Sequence, residues 1–235
     1  MTPAATAALG RFAPLAAETH ALVAGLRNSV VLVQVGRGGH GSGVFWPSAA
    51  LGRGEGLVIT NAHVVGRRTR ATVELADERV VPAAVVARDD GNDLAALHVT
   101  AAPGLPPPVP VGDARALRVG ELIVAVGNPL GVRGTATLGI VSAAPGRATW
   151  MASSSGGLRD GLPSDRLQVD VTLAPGNSGG PLADASGRVV GIAAMILSPG
   201  IALAVPSNVV ERFVAALERA WPMVAPAQQQ QRRAA

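Results

Sequence analysis

Residues 175–181 read Pro175-Gly176-Asn177-Ser178-Gly179-Gly180-Pro181, and the meaning of this stretch decides what the rest of the chain must be. A serine among glycines can sit on a tight turn with its Oγ unobstructed. The glycines also let backbone N–H groups approach a bound oxygen closely. Taken alone the stretch is ambiguous. Its G-x-S-x-G pattern also matches the nucleophile elbow of α/β-hydrolases, and a glycine-rich hairpin can carry an incidental serine.

Chain order separates the possibilities. All four histidines, His20, His40, His63 and His98, precede Ser178. An α/β-hydrolase places its histidine after the nucleophile, so that fold is excluded. A subtilisin-like order requires an aspartate before the histidine. No aspartate precedes Asp77, so that order survives only with His98 as base. The order histidine, aspartate, serine remains, which is that of the two-barrel proteases.

His63 follows the buried-looking run Leu57-Val58-Ile59-Thr60 and the turn-like Asn61-Ala62. A base just past a rigid strand end is well positioned. His98 instead lies inside the alternating run Leu94–Val99, while His20 and His40 fall in a possible helix and a glycine-rich loop. Asp93 directly opens the apolar run Leu94-Ala95-Ala96-Leu97, where a carboxylate can accept the histidine Nδ1–H. Asp89 and Asp90 read as exposed loop charges. A calcium loop over the same segment fails, since Gly91 is misplaced and Thr100 stands where a glutamate is needed.

Outward from these residues the chain is a series of short β segments. Ser29–Val35, Gly41–Trp46, Leu57–Thr60, Ala71–Leu75, Val80–Ala87 and Leu94–Val99 lie before a Pro/Gly-rich linker at 101–112. Glu121–Val126, Thr135–Ala143, Leu167–Thr172, Pro181–Ala183, Val189–Ile196 and Ile201–Val205 follow it. Asp77-Glu78 and Ser186-Gly187 read as hairpin turns. Six segments on each side of one linker predict an all-β protein of two antiparallel six-stranded barrels. The expected division is an N-terminal arm or short helix over 1–27, with Leu15, Leu22, Val23 and Leu26 at helical spacing. A first barrel over 28–112 would carry His63 and Asp93. A second barrel over 113–222 would carry Ser178 and end in a C-terminal α-helix. That helix would open on an Asn208/Glu211 capping box and stop at Pro222, leaving 223–235 as a disordered tail.

Composition narrows the function classes. The 235 residues are 48% apolar and contain no cysteine, so a hydrophobic core must hold the fold without disulfides. Every basic residue is arginine, yet the net charge is only +4, and three Phe, three Trp and no Tyr leave few stacking platforms. That argues against nucleic acid as a partner. Arg67, Arg68 and Arg70 read as a solvated loop. No apolar run reaches transmembrane length. No basic, apolar leader opens the sequence, so the expected location is cytoplasmic as written, and periplasmic or secreted if a leader is removed. No motif calls for a cofactor or a metal.

Thr60-Asn61-Ala62-His63-Val64-Val65, Asn92-Asp93-Leu94-Ala95-Ala96-Leu97 and Gly176-Asn177-Ser178-Gly179-Gly180-Pro181 resemble the three catalytic blocks of the HtrA/Deg serine proteases. Gly41-Ser42-Gly43-Val44, Val126-Gly127-Asn128-Pro129, Gly139-Ile140-Val141-Ser142, Gln168-Val169-Asp170 and Ala202-Leu203-Ala204-Val205-Pro206 extend the resemblance over most of 28–220. The resemblance implies the trypsin-like (chymotrypsin) fold and endopeptidase action on polypeptides through an acyl-enzyme on Ser178. It implies an oxyanion hole from the N–H groups of Gly176 and Ser178. It also implies a substrate pocket near Leu173, Met195 and Leu197. No acid stands among those three, so a small-to-medium aliphatic P1 residue is expected. The resemblance is to the protease domain alone, without the PDZ domains that follow it in HtrA enzymes. It places a regulatory loop at 144–166, around Trp150 and Met151, and implies a homotrimer, to which no other pattern in the sequence points. The competing reading is a noncatalytic or partner-activated two-barrel module that binds peptides.

Overall fold

The computed structural model describes residues 13–36, 38–52, 54–100, 103–145, 165–198 and 200–233. Helix α1 (Ala13–Arg27) leads into β1 (Val30–Val35), β2 (Gly39–Trp46) and β3 (Gly56–Thr60). A four-residue helix α2 (Ala62–Val65) precedes β4 (Arg70–Glu74), β5 (Val80–Asp89) and β6 (Leu94–Val99). Beyond the linker come β7 (Leu122–Gly127), β8 (Thr135–Ala143), β9 (Leu167–Asp170), β10 (Pro181–Asp184), β11 (Val189–Ser198) and β12 (Ile201–Pro206). Helix α3 (Ser207–Arg233) closes the fold.

The strands form two closed antiparallel barrels, β1-β2-β3-β6-β5-β4 and β7-β8-β9-β12-β11-β10. The second order is the first advanced by six strands, so one wiring is used twice. Closure leaves no unpaired strand edge. The two expected hairpin turns form. Glu78 adopts φ +70° between Leu75 and Arg79, and the Gly187 N–H donates to Asp184 O at 2.9 Å.

Each barrel has its own core. Val31, Val33, Phe45, Val58, Val73 and Leu97 fill the first; Ile123, Val141, Leu167, Val169, Leu182 and Val190 fill the second. A third cluster lies on the seam between them, where Val44, Trp46, Leu57, Ile59 and Leu94 meet Val124, Val126, Ile192 and Val205. Strands that meet a core on one face and the seam on the other are buried on both. That is why β3 and β6 are buried along their whole length, although Leu94–Val99 read as an alternating run in the sequence.

The linker is stitched to both barrels. The Val109 N–H donates to Phe45 O at 2.9 Å, and Val189 N–H to Pro110 O at 2.8 Å. The Ser207 hydroxyl donates to Gly112 O at 2.7 Å. Val209, Val210, Val214 and Leu217 of α3 join the seam cluster. From there the helix reaches back over the first barrel, where Glu218 Oε1 accepts from Ser48 Oγ and the Ala49 N–H at 2.8 and 2.7 Å.

Some expectations are corrected. Helix α3 runs through Pro222 to Arg233, where the sequence reading stopped it. Proline removes one backbone donor but has a helical φ, and the alanines and glutamines beyond it are adequate helix formers. The capping box is not formed. The helix starts one residue earlier, at Ser207, and Asn208 Oδ1 accepts no hydrogen bond. Arg70 opens β4, opposite Ala84, instead of lying in the arginine loop. Most of the expected regulatory loop, with Trp150 and Met151, and residues 1–12 of the expected arm lie outside the described residues.

Candidate active site

Strand β3 ends at Thr60, and one turn later α2 presents His63 at the mouth of the seam. Asp93 sits just before β6, the strand paired with β3, so backbone pairing alone brings the two residues together. His63 Nδ1 lies 2.8 Å from Asp93 Oδ2, and the His63 backbone N–H donates to Asp93 Oδ1 at 3.0 Å. One carboxylate therefore grips both the ring and the main chain of the histidine. With Asp93 ionised, Nδ1 carries the proton and Nε2 is left without one.

Asp93 adopts φ +54°, a left-handed conformation that Asp and Asn tolerate better than most residues. The loop holding it is well tied. Asn61 Nδ2 donates to Asp93 O at 2.9 Å, and Asp89 accepts from the Asn92 N–H and side-chain amide at 3.0 and 2.7 Å. Asp89 is thus a half-buried loop anchor and not the exposed charge the sequence suggested. Asp90 is exposed and ion-paired with Arg88.

Sequence reasoning passed over Arg166. This residue of the second barrel is 5% exposed and donates from Nη2 to Asn92 O at 3.0 Å. Burial pulls its guanidinium below its ordinary pKa, and the carboxylates of Asp93, Asp165 and Asp89 oppose that shift. No local pattern marks it, since it is a single arginine before an apolar strand.

Ser178 lies on the turn between β9 and β10, half-buried. Its hydroxyl donates to Ala194 O at 3.4 Å, and it makes no hydrogen bond to His63. The surrounding turn is tightly constrained. Leu130 N–H holds Pro175 O at 2.9 Å and Gly180 N–H holds Asn177 O at 2.9 Å. A planar peptide whose carbonyl is fixed on one side sends its N–H the other way. The two amides so directed are Gly176 N–H and Ser178 N–H, and neither donates a hydrogen bond. Gly176 has φ +102°. Gly179 has φ +86°, and a Cβ there would lie 2.0 Å from Ser42 O, so no larger residue fits the turn unstrained.

Of the expected pocket residues, Leu173 is half-buried against the core of the second barrel. Met195 is 41% exposed and Leu197 half-buried, both on the outer part of β11. Asp170 stays on β9 opposite Ile140. Among the described residues no group of three or more His, Cys, Asp or Glu side chains is placed to hold a metal ion. None of the described helices is long and apolar enough to cross a membrane.

The chain is similar in sequence to known proteins. Residues 41–192, more than half of the chain and spanning His63, Asp93 and Ser178, match the trypsin-like peptidase domain. Over 191 residues the chain is 38% identical to the periplasmic serine endoprotease DegP of Escherichia coli K12, covering 77% of this chain and 38% of that protein. It is 36% identical over 187 residues to the chloroplastic protease Do-like 1 of Arabidopsis thaliana, with 77% and 40% covered. Against the mitochondrial serine protease HTRA2 of Drosophila pseudoobscura pseudoobscura the identity is 40% over 167 residues, with 70% and 36% covered. The chain thus spans well under half the length of these relatives, whose names place them in three different compartments. Two barrels of one wiring, a histidine and aspartate on the first, a serine turn on the second and a match across both make the chain a member of the trypsin-like peptidase family, similar to its HtrA/Deg proteases.

Proposed function

We propose that the chain is a serine endopeptidase with Ser178 as nucleophile, His63 as general base and Asp93 orienting the imidazole. The observation that carries this reading is the conjunction of a carboxylate-held histidine with a serine turn bearing two unpartnered amide donors. Ser178 Oγ attacks the scissile carbonyl carbon and its proton passes to His63 Nε2. The resulting oxyanion accepts from Gly176 N–H and Ser178 N–H. Collapse breaks the C–N bond, and the imidazolium gives its proton to the departing amine. Water, deprotonated by the same Nε2, then releases the acyl group and regenerates Ser178.

Substrates are extended stretches of unfolded or flexible polypeptide. Leu173, Met195 and Leu197 are the proposed lining of the P1 pocket. An apolar lining gives a cation or a carboxylate no partner, and burying an unpaired charge costs several kcal/mol. Cleavage after Val, Ile, Ala, Leu or Met is therefore favoured over Arg, Lys or Glu. Preferences within the aliphatic set are soft, because one methylene is worth about 1–3 kcal/mol.

Two measurements test the reading. A fluorophosphonate probe labels wild-type Ser178 and spares His63→Ala. Digestion of a denatured protein, with the cut sites sequenced, yields aliphatic P1 residues for wild type and no cuts for Ser178→Ala. Undiminished cutting by Ser178→Ala refutes the nucleophile. A profile dominated by Arg and Lys refutes the pocket alone.

A further inference from the structure

Ser42 belongs to β2 of the first barrel and is fully buried. A buried hydroxyl is costly unless paired, and this one is saturated. Its Oγ donates to Gly176 O at 2.7 Å and accepts the Asn128 N–H at 2.8 Å, with Asn128 Nδ2 at 3.4 Å. The first of these bonds crosses from one barrel to the other and ends on the turn that carries Ser178.

Each carbonyl from Ala174 to Ser178 is held. Ala174 O accepts from Asn177 N–H at 3.0 Å, Pro175 O from Leu130 N–H at 2.9 Å and Asn177 O from Gly180 N–H at 2.9 Å. Ser178 O accepts from the backbone N–H of Ser42 itself at 2.8 Å. Gly176 O is the only member of the run held by a side chain, Ser42 Oγ. Glycine has little preference of its own at φ +102°, so its orientation is set by its two flanking peptides. The preceding peptide is tied at Pro175 O and the following one at Gly176 O. Without Ser42 Oγ the following peptide keeps only its Asn177 N–H bond to Ala174 O, so the backbone angles of Gly176, and with them the alignment of its N–H, are set less firmly.

The same residue is also linked to the histidine side of the cleft. Thr60 Oγ1, at the end of β3 and three residues before His63, donates to Ser42 O at 2.7 Å. The strand end that carries the imidazole and the turn that carries the amide donors are thus both bonded to one residue.

We infer that Ser42 is a positioning residue of the hydrolytic centre, its hydroxyl aligning the Gly176 N–H with the oxyanion. This assignment rests on the peptidase reading above. Oxyanion donors act on charge that develops only in the transition state. Loss of the Ser42 hydroxyl therefore lowers kcat and leaves KM in place. A residue that merely glued the barrels together would move stability, KM and kcat as one.

The test compares wild type, Ser42→Ala and the near-isosteric Ser42→Cys in hydrolysis of one peptide with an aliphatic P1 residue. Thermal stability is measured alongside, as is inhibition by a peptidyl boronate, whose tetrahedral adduct places an oxygen at the oxyanion position. Deleting an oxyanion donor outright costs about 100- to 1,000-fold in kcat, so misaligning one should cost about 10- to 100-fold. The expected result is that loss in kcat, KM within about twofold of wild type, and boronate affinity weakened by the same factor as kcat/KM. Wild-type kcat in a folded variant overturns the assignment, as does a parallel fall of kcat, substrate affinity and Tm. If neither variant folds, the hydroxyl holds the barrels together and the assignment falls. Absence of Ser178-dependent turnover in wild type defeats the peptidase reading and this inference with it. An active wild type with unaltered variants removes only Ser42.

Discussion

Asp93→Asn separates catalysis from folding more sharply than any other change at this site. The carboxylate accepts the His63 backbone N–H at 3.0 Å and holds Nδ1 at 2.8 Å, from a backbone with φ +54°. Asparagine has nearly the same shape and tolerates the left-handed conformation. Its Oδ1 still accepts the backbone bond. Its amide, turned toward Nδ1, donates where Asp93 accepted. The ring must then carry its proton on Nε2, where it cannot take one from Ser178. In trypsin-like enzymes the wrong tautomer costs roughly 10,000-fold in kcat, about 5.4 kcal/mol at 1.36 kcal/mol per decade. The stability cost is that of weakening one charge-assisted hydrogen bond to a neutral one, about 1 kcal/mol. Asp93→Ala contrasts with it: alanine loses both bonds and is strained at that φ, so about 2–4 kcal/mol of stability should go as well. Peptide hydrolysis by both variants, with melting curves on the same preparations, reads the two effects. An Asp93→Asn protein with native stability and more than a tenth of wild-type kcat/KM would refute the argument.

Ser178→Ala and His63→Ala should each abolish nearly all turnover, and the double variant should be scarcely worse, because the groups act as a unit; steady-state rates of the three proteins settle it. Leu173→Phe should move the P1 preference toward Ala and Val if Leu173 lines the pocket, and an unchanged cut-site profile would remove it from the lining. Gly179→Ala places a Cβ 2.0 Å from Ser42 O and 2.4 Å from Thr60 Oγ1 at φ +86°. It should destabilise by about 3 kcal/mol or more, lowering Tm by roughly 6–12 °C in a thermal melt.

The barrels were legible because their strands are short, β-branched and punctuated by turns such as Asp77-Glu78. His63, Asp93 and Ser178 stood out because order along the chain excludes an α/β-hydrolase and leaves a subtilisin-like order only through His98, and because each stands in a distinctive local run; of these the structure sets His63 against Asp93. What escaped was the long-range polar chemistry. Ser42 Oγ and Gly176 O are 134 positions apart, and Arg166 lies 74 positions from the carbonyl it holds. Neither contact leaves a periodicity or a local motif. Asp89 was misjudged for the same reason: a carboxylate that builds a turn and one that faces water look alike in sequence. Helix α3 outran its expected end because proline at an exposed position removes one donor without forbidding the helix.

The seam between the barrels has a consequence for how the chain is made. Its apolar faces are covered in part by Val209, Val210, Val214 and Leu217, and α3 then clasps Ser48 and Ala49 of the first half. These helical residues leave the ribosome after the serine turn, whereas His63 and Asp93 emerge before it. A growing chain that already has its imidazole still lacks both the serine turn and the helix that seals the docking face. Synthesis therefore delivers His63 and Asp93 first, Ser178 second and the clasp after both, so a site wired this way is not fully assembled until α3 has emerged.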